Sequence, residues 1–320
     1  MNNHLISIIV PNYNHARFLN ERMLSVLNQT YERNEIIILD DCSCDDSKVI
    51  IEGFKEVGKI AHIVYNERNS GSPFKQWVKG IEIAKGDLIW IAESDDLADA
   101  KFLEKIIPYF DDPEVVVVFT DCKIINEASK VVYGNNTWIH DPLLDIGFQK
   151  KSWEGLDFIE QFNRYRNFIS NASSVVFRKE AVDGTDLDKI QTFRYAGDWF
   201  FWNRLVLKGK VIFIPETLCN WRSHDASTRS IVDLTKDVDR LKEASRVIYE
   251  TNKYMNVKPL MSNYDWIITW WLSRYSYANL WKFNYILPSL PFNRLYVRLY
   301  AKLVSRSFKE FFYSLKSIFS

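Results

Sequence analysis

The first 120 residues alternate between short apolar runs and longer stretches of helical periodicity, and this alternation constrains the fold more than any other feature. Short runs rich in Ile and Val are typical of strands that are buried on both faces of a sheet. Strands that alternate with helices predict an α/β fold with a mostly parallel sheet flanked by helices. The predicted strands are 5–11, 35–41, 61–65, 87–92 and 115–119, and the predicted helices are 16–28, 46–57, 74–84 and 100–110.

The pattern becomes mixed after about residue 120, and we interpret this part as a smaller layer that completes the site. From about residue 235 the chain is predicted to be helical to its end. We therefore divide it into a domain at 1–230 and a helical C-terminal region at 231–320. The elements predicted in the mixed part are a hairpin at 121–134, a helix near 153–166, a strand at 173–177, a helix from 197, and strands at 210–215 and 217–222.

Polar clusters follow three of the predicted strands: PNYN at 11–14, DDCS at 40–43 and ESDD at 93–96. Ligands of such sheets bind beyond the carboxyl ends of the strands, so these clusters predict one shared site. Asp95 and Asp96 repel each other and need solvent or a positive partner. Successive strand residues point to opposite faces, so we expect the two side chains to point in opposite directions. A divalent cation held by one or two carboxylates and by substrate phosphates would supply the positive partner. The alternative is that both acids only favour the dipole of the following helix.

Composition and missing motifs exclude several classes of protein. The chain carries 41 basic and 41 acidic residues, which gives no argument for nucleic acid as a partner. No G-x-G-x-x-G, Walker or G-x-S-x-G motif is found. The four cysteines have neither disulfide density nor metal spacing, which favours a reducing, cytoplasmic setting. We find no signal peptide and no run of 18 apolar residues, so we expect any membrane contact to be peripheral.

Four stretches occur in an order that resembles the family 2 glycosyltransferases, which have the GT-A fold with a Rossmann-like sheet. The resemblance covers roughly residues 5 to 225. It implies transfer of a sugar from a nucleotide-diphosphate sugar to an acceptor hydroxyl, with inversion and with a divalent cation, Mn²⁺ or Mg²⁺, on the diphosphate. The stretches are SIIVPNYNHARFLNERMLSVLNQTY (7–31), EIIILDDCSCDDS (35–47), GDLIWIAESDD (86–96) and GDWFFWNRL (197–205).

The resemblance assigns several residues to the nucleotide. Pro11 and Tyr13 match the donor-binding start of the motif, where the Tyr13 ring would stack on the base. Asp41 matches the carboxylate that accepts the uracil imide N–H, which favours UDP, whereas Asp40 is expected to be structural. Asp95 matches the ribose contact. Tyr13 could instead be a tyrosine that caps the core.

The same resemblance assigns the cation and phosphate contacts. Asp96 matches the metal ligand, and His224 matches a position where some members have a metal or phosphate contact. Ser94 stands where the family has a first carboxylate, so a second carboxylate ligand is not assumed. Lys75 and Arg222 are candidates for the diphosphate. Lys75 could equally be a solvated lysine, and His224 could be an ordinary structural histidine.

Asp198 matches the position where the family has its catalytic base. Direct displacement at the anomeric carbon needs a group that accepts the proton of the acceptor hydroxyl. The alternative is that Asp198 is only the N-cap of the helix that begins there.

The acceptor is expected to be a glycan or a lipid-linked glycan, as in bacterial surface polysaccharide synthesis. From Arg274 to Ser320 there are eight basic residues and one acidic residue, a net charge of +7. This bias, with many apolar residues at 290–320, predicts a helix on an anionic membrane surface. The alternative is a helix packed on the catalytic domain. Rival functions are a nucleotidyltransferase, for which the first loop lacks glycine and basic residues, and an inactive binding scaffold.

Overall fold

The computed structural model describes residues 4–136, 152–224 and 233–257, together with positions 266, 267 and 270. It divides into two compact units, one ending at Ile231 and the other beginning at Val232. All of the predicted site residues belong to the first unit.

A mixed sheet of ten strands forms the centre of the first unit, within the part of the chain that is described. Its parallel strands are apolar runs because both faces of the sheet are covered, and every residue of the first strand is buried. The strands are β1 Ile6–Asn12, β2 Asn34–Asp40, β3 Ile60–Tyr65, β4 Leu88–Ile91, β5 Leu97–Ala98, β6 Val115–Ile125, β7 Val131–Tyr133, β8 Ser152–Glu154, β9 Val175–Arg178 and β10 Lys210–Arg222.

The strand order is β3-β2-β1-β4-β9-β6-β10-β5, with β7 paired to β6 and β8 paired to β10. Strands β3, β2, β1 and β4 are parallel neighbours, and β10 runs parallel to β6. Strand β9 is antiparallel to both of its neighbours, β4 and β6. The predicted α/β class with a mostly parallel sheet is therefore confirmed, and so is the hairpin of β6 and β7.

Helices follow most strands, as the alternation of the sequence predicts. Apolar side chains from the first helix and from the sheet form one core cluster, which includes Leu19, Met23, Ile38 and Trp90. The helices are α1 Ala16–Leu27, α2 Ser47–Gly53, α3 Pro73–Ile83, α4 Phe102–Ile106, α5 Gly155–Phe158, α6 Gly184–Ile190, α7 Gly197–Val206 and α8 Leu234–Tyr254.

Three predicted helices are shorter than expected, and the one predicted at 46–57 ends at Gly53. The helix predicted at 100–110 continues after Ile106 as a 3₁₀ turn over Ile107–Asp111, because Pro108 has no N–H for an α-helical hydrogen bond. The helix predicted near 153–166 consists of α5 and a π-helical turn at Ile159–Asn163.

Strand β10 joins two segments that the sequence predicted as separate strands. Its pairing with β6 shifts register between Ile214 and Thr217. Pro215 lies in this gap and has no N–H for the ladder, which explains the irregularity. The strand then continues to Arg222, and so brings Arg222 and His224 to the acidic loop after β4.

The second unit contains α8, whose first turn is capped by Asp233. The Asp233 carboxylate accepts a hydrogen bond of 2.8 Å from the Lys236 N–H. Among the residues described, no helix combines the length and the apolar character needed to cross a bilayer. The predicted membrane-surface segment at 290–320 lies outside the described residues.

Candidate active site

Asp96 is buried and tied to the protein on both carboxylate oxygens. The Arg222 N–H donates to Oδ1 over 2.8 Å, and Asn171 Nδ2 donates to Oδ2 over 2.9 Å. Burial and the charge of Asp95 raise the pKa of Asp96 to about 6. Asp96 therefore fastens the end of β10 to the loop after β4.

Asp95 points to the other side of the loop and meets His224. The Asp95 Oδ2 and His224 Nε2 atoms are 3.0 Å apart. Burial alone would raise the pKa of Asp95, but the hydrogen bond from His224 and the electrostatic attraction of the His15 and His224 imidazoles outweigh it and lower that pKa. Asp95 is thus held as a carboxylate.

His15, Asp95 and His224 form a group whose possible ligand atoms all lie within 4.8 Å of one another. His15 precedes α1, and its Nδ1 is 2.8 Å from Ser94 Oγ, which leaves Nε2 available. Burial lowers the pKa of His15, which favours the neutral, ligating form. Two imidazoles and a carboxylate fit a transition ion such as Mn²⁺ better than Mg²⁺, which prefers oxygen ligands.

This geometry differs from the sequence assignment of the two aspartates. Successive residues after the strand do point to opposite sides, as expected, but it is Asp95 and not Asp96 that faces His224. Asp96 turns into the fold toward Asn171, and Asp95 turns toward the histidines. The group of possible ligands therefore contains Asp95 and His224 but not Asp96.

Arg222 has a different role from the expected phosphate contact. Its side chain is 1% exposed, and it donates to the backbone oxygens of Asp95, Asn126 and Glu127. It also pairs with Glu21 over 2.8 Å. Because these groups engage the guanidinium inside the protein, Arg222 supports the acidic loop and the hairpin turn.

A second buried arginine supplies the positive charge that the acidic loop needs. Arg22 of α1 is fully buried, 3.3 Å from Ser173 Oγ, with its guanidinium over the Trp90 ring at 4.9 Å. Burial lowers the pKa of Arg22, against the attraction of Asp95, Asp96 and Glu93. Sequence reasoning missed both Arg22 and His15.

Glu93 at the end of β4 is linked to the next wall of the site. Trp77 of α3 donates its Nε1–H to Glu93 Oε1 over 2.8 Å. Burial, followed by the charge of Asp95, raises the pKa of Glu93 to about 8. Glu93 therefore retains a proton near neutral pH.

The loop after β2 is organised by a second pair of aspartates. Asp41 is buried and accepts hydrogen bonds from Asn66, Ser70 and Gln76 at 2.6 to 2.9 Å. Its Oδ2 accepts only from Ser70 Oγ among the described residues, which leaves room for one further donor. Asp40 binds the Ser43 N–H and hydroxyl, the structural role expected for it.

The other predicted donor residues lie around this loop. Pro11 is buried in β1, and Tyr13, just after the strand, exposes 45% of its surface. Its ring is therefore accessible for stacking. Lys75 begins the exposed side of α3, and its Nζ donates to the Ser70 oxygen over 2.9 Å.

Asp198 is the second residue of α7, whose N-cap is Ala196, so the N-cap alternative is wrong. Its carboxylate accepts from the Trp199 N–H and from Asn167 Nδ2, each over 2.8 Å. A Cβ atom at Gly197 would lie 2.6 Å from the Phe74 ring, so only glycine allows this approach of α7 to α3. Asp198 is thus held near the helix that carries Trp77.

Comparisons with known proteins relate this chain to glycosyltransferases. The family model for glycosyl transferase family 2 matches residues 7–174 of this chain. TuaG of Bacillus subtilis strain 168, a glycosyltransferase provisionally named for teichuronic acid biosynthesis, is 26% identical over 219 residues, which cover 68% of this chain and 79% of TuaG.

Two solved structures share the fold. Staphylococcus aureus TarS in complex with UDP-GlcNAc has a TM-score of 0.64 at 18% identity and covers 90% of this chain and 82% of that one. The Pyrobaculum calidifontis mannosyltransferase PcManGT in complex with GDP-Man and Mn²⁺ has a TM-score of 0.53 at 15% identity, over 90% and 74% of the two chains. The match of the family model over more than half of the chain, together with this GT-A fold, shows that the chain belongs to glycosyltransferase family 2 and is a glycosyltransferase.

Proposed function

We propose that the protein is an inverting glycosyltransferase that moves a sugar from a UDP-sugar to a hydroxyl of a glycan or lipid-linked glycan. The observation that carries this proposal is the group of His15, Asp95 and His224 at the strand ends, in the same site as the Asp41 loop. The TarS complex with UDP-GlcNAc and the PcManGT complex with GDP-Man and Mn²⁺ support it by analogy.

The nucleotide is bound by the loop after β2 and by Tyr13. The accessible Tyr13 ring stacks on the base, because an aromatic face suits a flat heterocycle. The free lone pair of Asp41 Oδ2 accepts the imide N–H of uracil. Pro11 fixes the start of this loop, and Lys75 lies on the same side of the site, where it can approach the diphosphate.

His15, Asp95 and His224 would hold the divalent cation, and Mn²⁺ would suit this mixed donor set. When bound, it supplies positive charge that stabilises the diphosphate leaving group. Asp96 and Arg222 keep the ligands in position, because they fasten the end of β10 to the acidic loop.

Asp198 serves as the general base. Its carboxylate accepts the proton of the acceptor hydroxyl while that oxygen attacks the anomeric carbon, and the diphosphate leaves from the opposite face. This single displacement inverts the configuration. Asn167 holds one carboxylate oxygen through its bond of 2.8 Å and so orients the group.

A panel of UDP-sugars tests the proposed function directly. The purified protein with Mn²⁺ should release UDP slowly from the matching donor, and NMR of the transferred product should report the inverted anomer. Release from GDP-sugars alone, or a product with retained configuration, would contradict the proposal.

We further propose that the acceptor is presented at the inner face of a bacterial cytoplasmic membrane, in surface polysaccharide synthesis. The net charge of +7 from Arg274 to Ser320 supports this, since each basic residue near an anionic surface contributes about 1 kcal/mol. Full-length protein should sediment with anionic liposomes. A truncation before residue 290 that sediments equally well would contradict the membrane role.

A further inference from the structure

Arg17 places a permanent positive charge next to the candidate metal group. Its Nη2 is 3.3 Å from His224 Nδ1, and its Nη1 is 3.2 Å from Glu127 Oε2. The guanidinium lies over the Phe18 ring at 4.4 Å, and 49% of the side chain is exposed. Arg17 is thus anchored on one side and open to solvent on the other.

The contact with Arg17 determines where His224 carries its proton. A guanidinium can only donate hydrogen bonds, so His224 Nδ1 must be the acceptor. The proton of the neutral ring then lies on Nε2 and is donated to Asp95 Oδ2 over 3.0 Å. In this arrangement Nε2 has no lone pair to offer to a cation.

Coordination of a cation by His224 Nε2 is therefore incompatible with the Arg17 contact. A neutral ring that ligates through Nε2 carries its proton on Nδ1, which would face the N–H groups of Arg17. Two donors would then oppose each other, and the cation would add charge repulsion. Arg17 must leave His224 when the cation is bound there.

We propose that Arg17 is a diphosphate-binding residue, which exchanges His224 for the phosphate oxygens of the donor when the cation binds. The planar fork of arginine matches phosphate, and the Arg222 side chain that could have served is engaged inside the protein. This inference rests on the proposed function. It makes cation and donor binding mutually reinforcing, because each removes a contact that hinders the other.

The test compares Arg17→Met with wild type in the full-length chain. Methionine keeps packing on Phe18 but can neither donate to His224 nor bind phosphate. EPR should show that Mn²⁺ alone binds about threefold to tenfold more tightly, since one competing hydrogen bond is lost. Binding of UDP in the presence of Mn²⁺, followed by calorimetry, should weaken at least about tenfold, as expected for a charged hydrogen bond.

Arg33→Met is the matched control. Arg33 is exposed and immediately precedes β2, whereas the site lies beyond the opposite, carboxyl end of that strand. Both affinities should therefore stay at the wild-type value. If Arg17→Met leaves either affinity unchanged, or weakens Mn²⁺ binding, the exchange is wrong. If wild type itself binds neither Mn²⁺ nor UDP, the proposed function fails, and this inference fails with it.

Discussion

Two pairs of adjacent aspartates lie at the ends of parallel strands of the same sheet, yet the groups that surround the two pairs differ. Asp40 and Asp41, after β2, are surrounded by N–H and O–H donors of the protein itself. Asp95 and Asp96, after β4, are balanced by imidazoles and by the buried Arg22. The first pair is held by hydrogen bonds from the protein and keeps one acceptor position on Asp41 Oδ2, whereas the second pair lies in a charged site that a cation fits.

Within the second pair and its neighbour Glu93, the pKa values are shifted in opposite directions. Burial raises the pKa of Asp96 to about 6 and that of Glu93 to about 8, while Asp95 is held ionised by the histidines. A bound cation would stabilise this loop, because its positive charge would attract the ionised Asp95 carboxylate. The comparison therefore predicts that the two pairs respond differently to the same substitution.

The largest effect is expected outside both pairs, at Asp198. Asp198→Asn keeps the hydrogen bond from Asn167 possible but removes the base, so turnover should fall at least about a hundredfold. UDP and Mn²⁺ affinities should remain near the wild-type values, because both aspartate pairs are intact. Steady-state kinetics and calorimetry measure this split, and an Asn variant within a few fold of wild-type turnover would show that the base is elsewhere.

Asp95→Asn should weaken Mn²⁺ binding about tenfold to a hundredfold, since an anionic ligand is replaced by an amide. Asp96→Asn is the matched change one residue along, and it should weaken Mn²⁺ binding far less. EPR titration of free Mn²⁺ compares the two variants. A larger loss at Asp96 would restore the original assignment from sequence.

Asp41→Asn should lower the free energy of unfolding by about 1–3 kcal/mol, because the new amide NH₂ faces the donors that bind the carboxylate. The same change at Asp96 should cost less, because burial and the charge of Asp95 already disfavour the Asp96 carboxylate and raise its pKa to about 6. Urea unfolding measures both. Equal costs at the two positions would contradict the contrast between the pairs.

The smallest effect concerns Glu93 and pH. Its raised pKa means that the folded chain keeps a proton that the unfolded chain has released, so the free energy of unfolding should fall as pH rises from the ordinary pKa of 4.5 to the raised pKa of about 8. The slope is at most about 1.4 kcal/mol per pH unit. Glu93→Gln should flatten it, whereas Glu82→Gln, on the exposed side of α3, should not. An unchanged slope in Glu93→Gln would remove this explanation.

The sequence was sufficient for the parallel strands and for the polar clusters at their ends, because both depend on local patterns along the chain. It also indicated that Asp95 and Asp96 face opposite ways, but not which one faces the core. That choice is made by long-range contacts of Asn171 and Arg222, which no local pattern contains.

Long-range packing also explains the residues that were missed or given another role. In the sequence, Arg22 looks like an ordinary residue of an amphipathic helix. Its burial results from the packing of α1 over Trp90. In the sequence, Arg222 is a candidate phosphate ligand. In the structure, the backbone oxygens of the turn after β6 bind its guanidinium. His15 did carry a signal, since it directly follows the PNYN cluster at the first strand end.

The central claim is that a cation at the Asp95 loop assists donor binding. Its most direct test is to titrate the wild-type protein with UDP by calorimetry, once in the presence of Mn²⁺ and once with a chelator instead of Mn²⁺. Mn²⁺ should tighten UDP binding at least about tenfold, because a cation at the Asp95 loop would place positive charge beside the diphosphate. Asp95→Asn should abolish this gain while Asp41 still binds the base. Equal UDP affinity with Mn²⁺ and with the chelator would contradict the account.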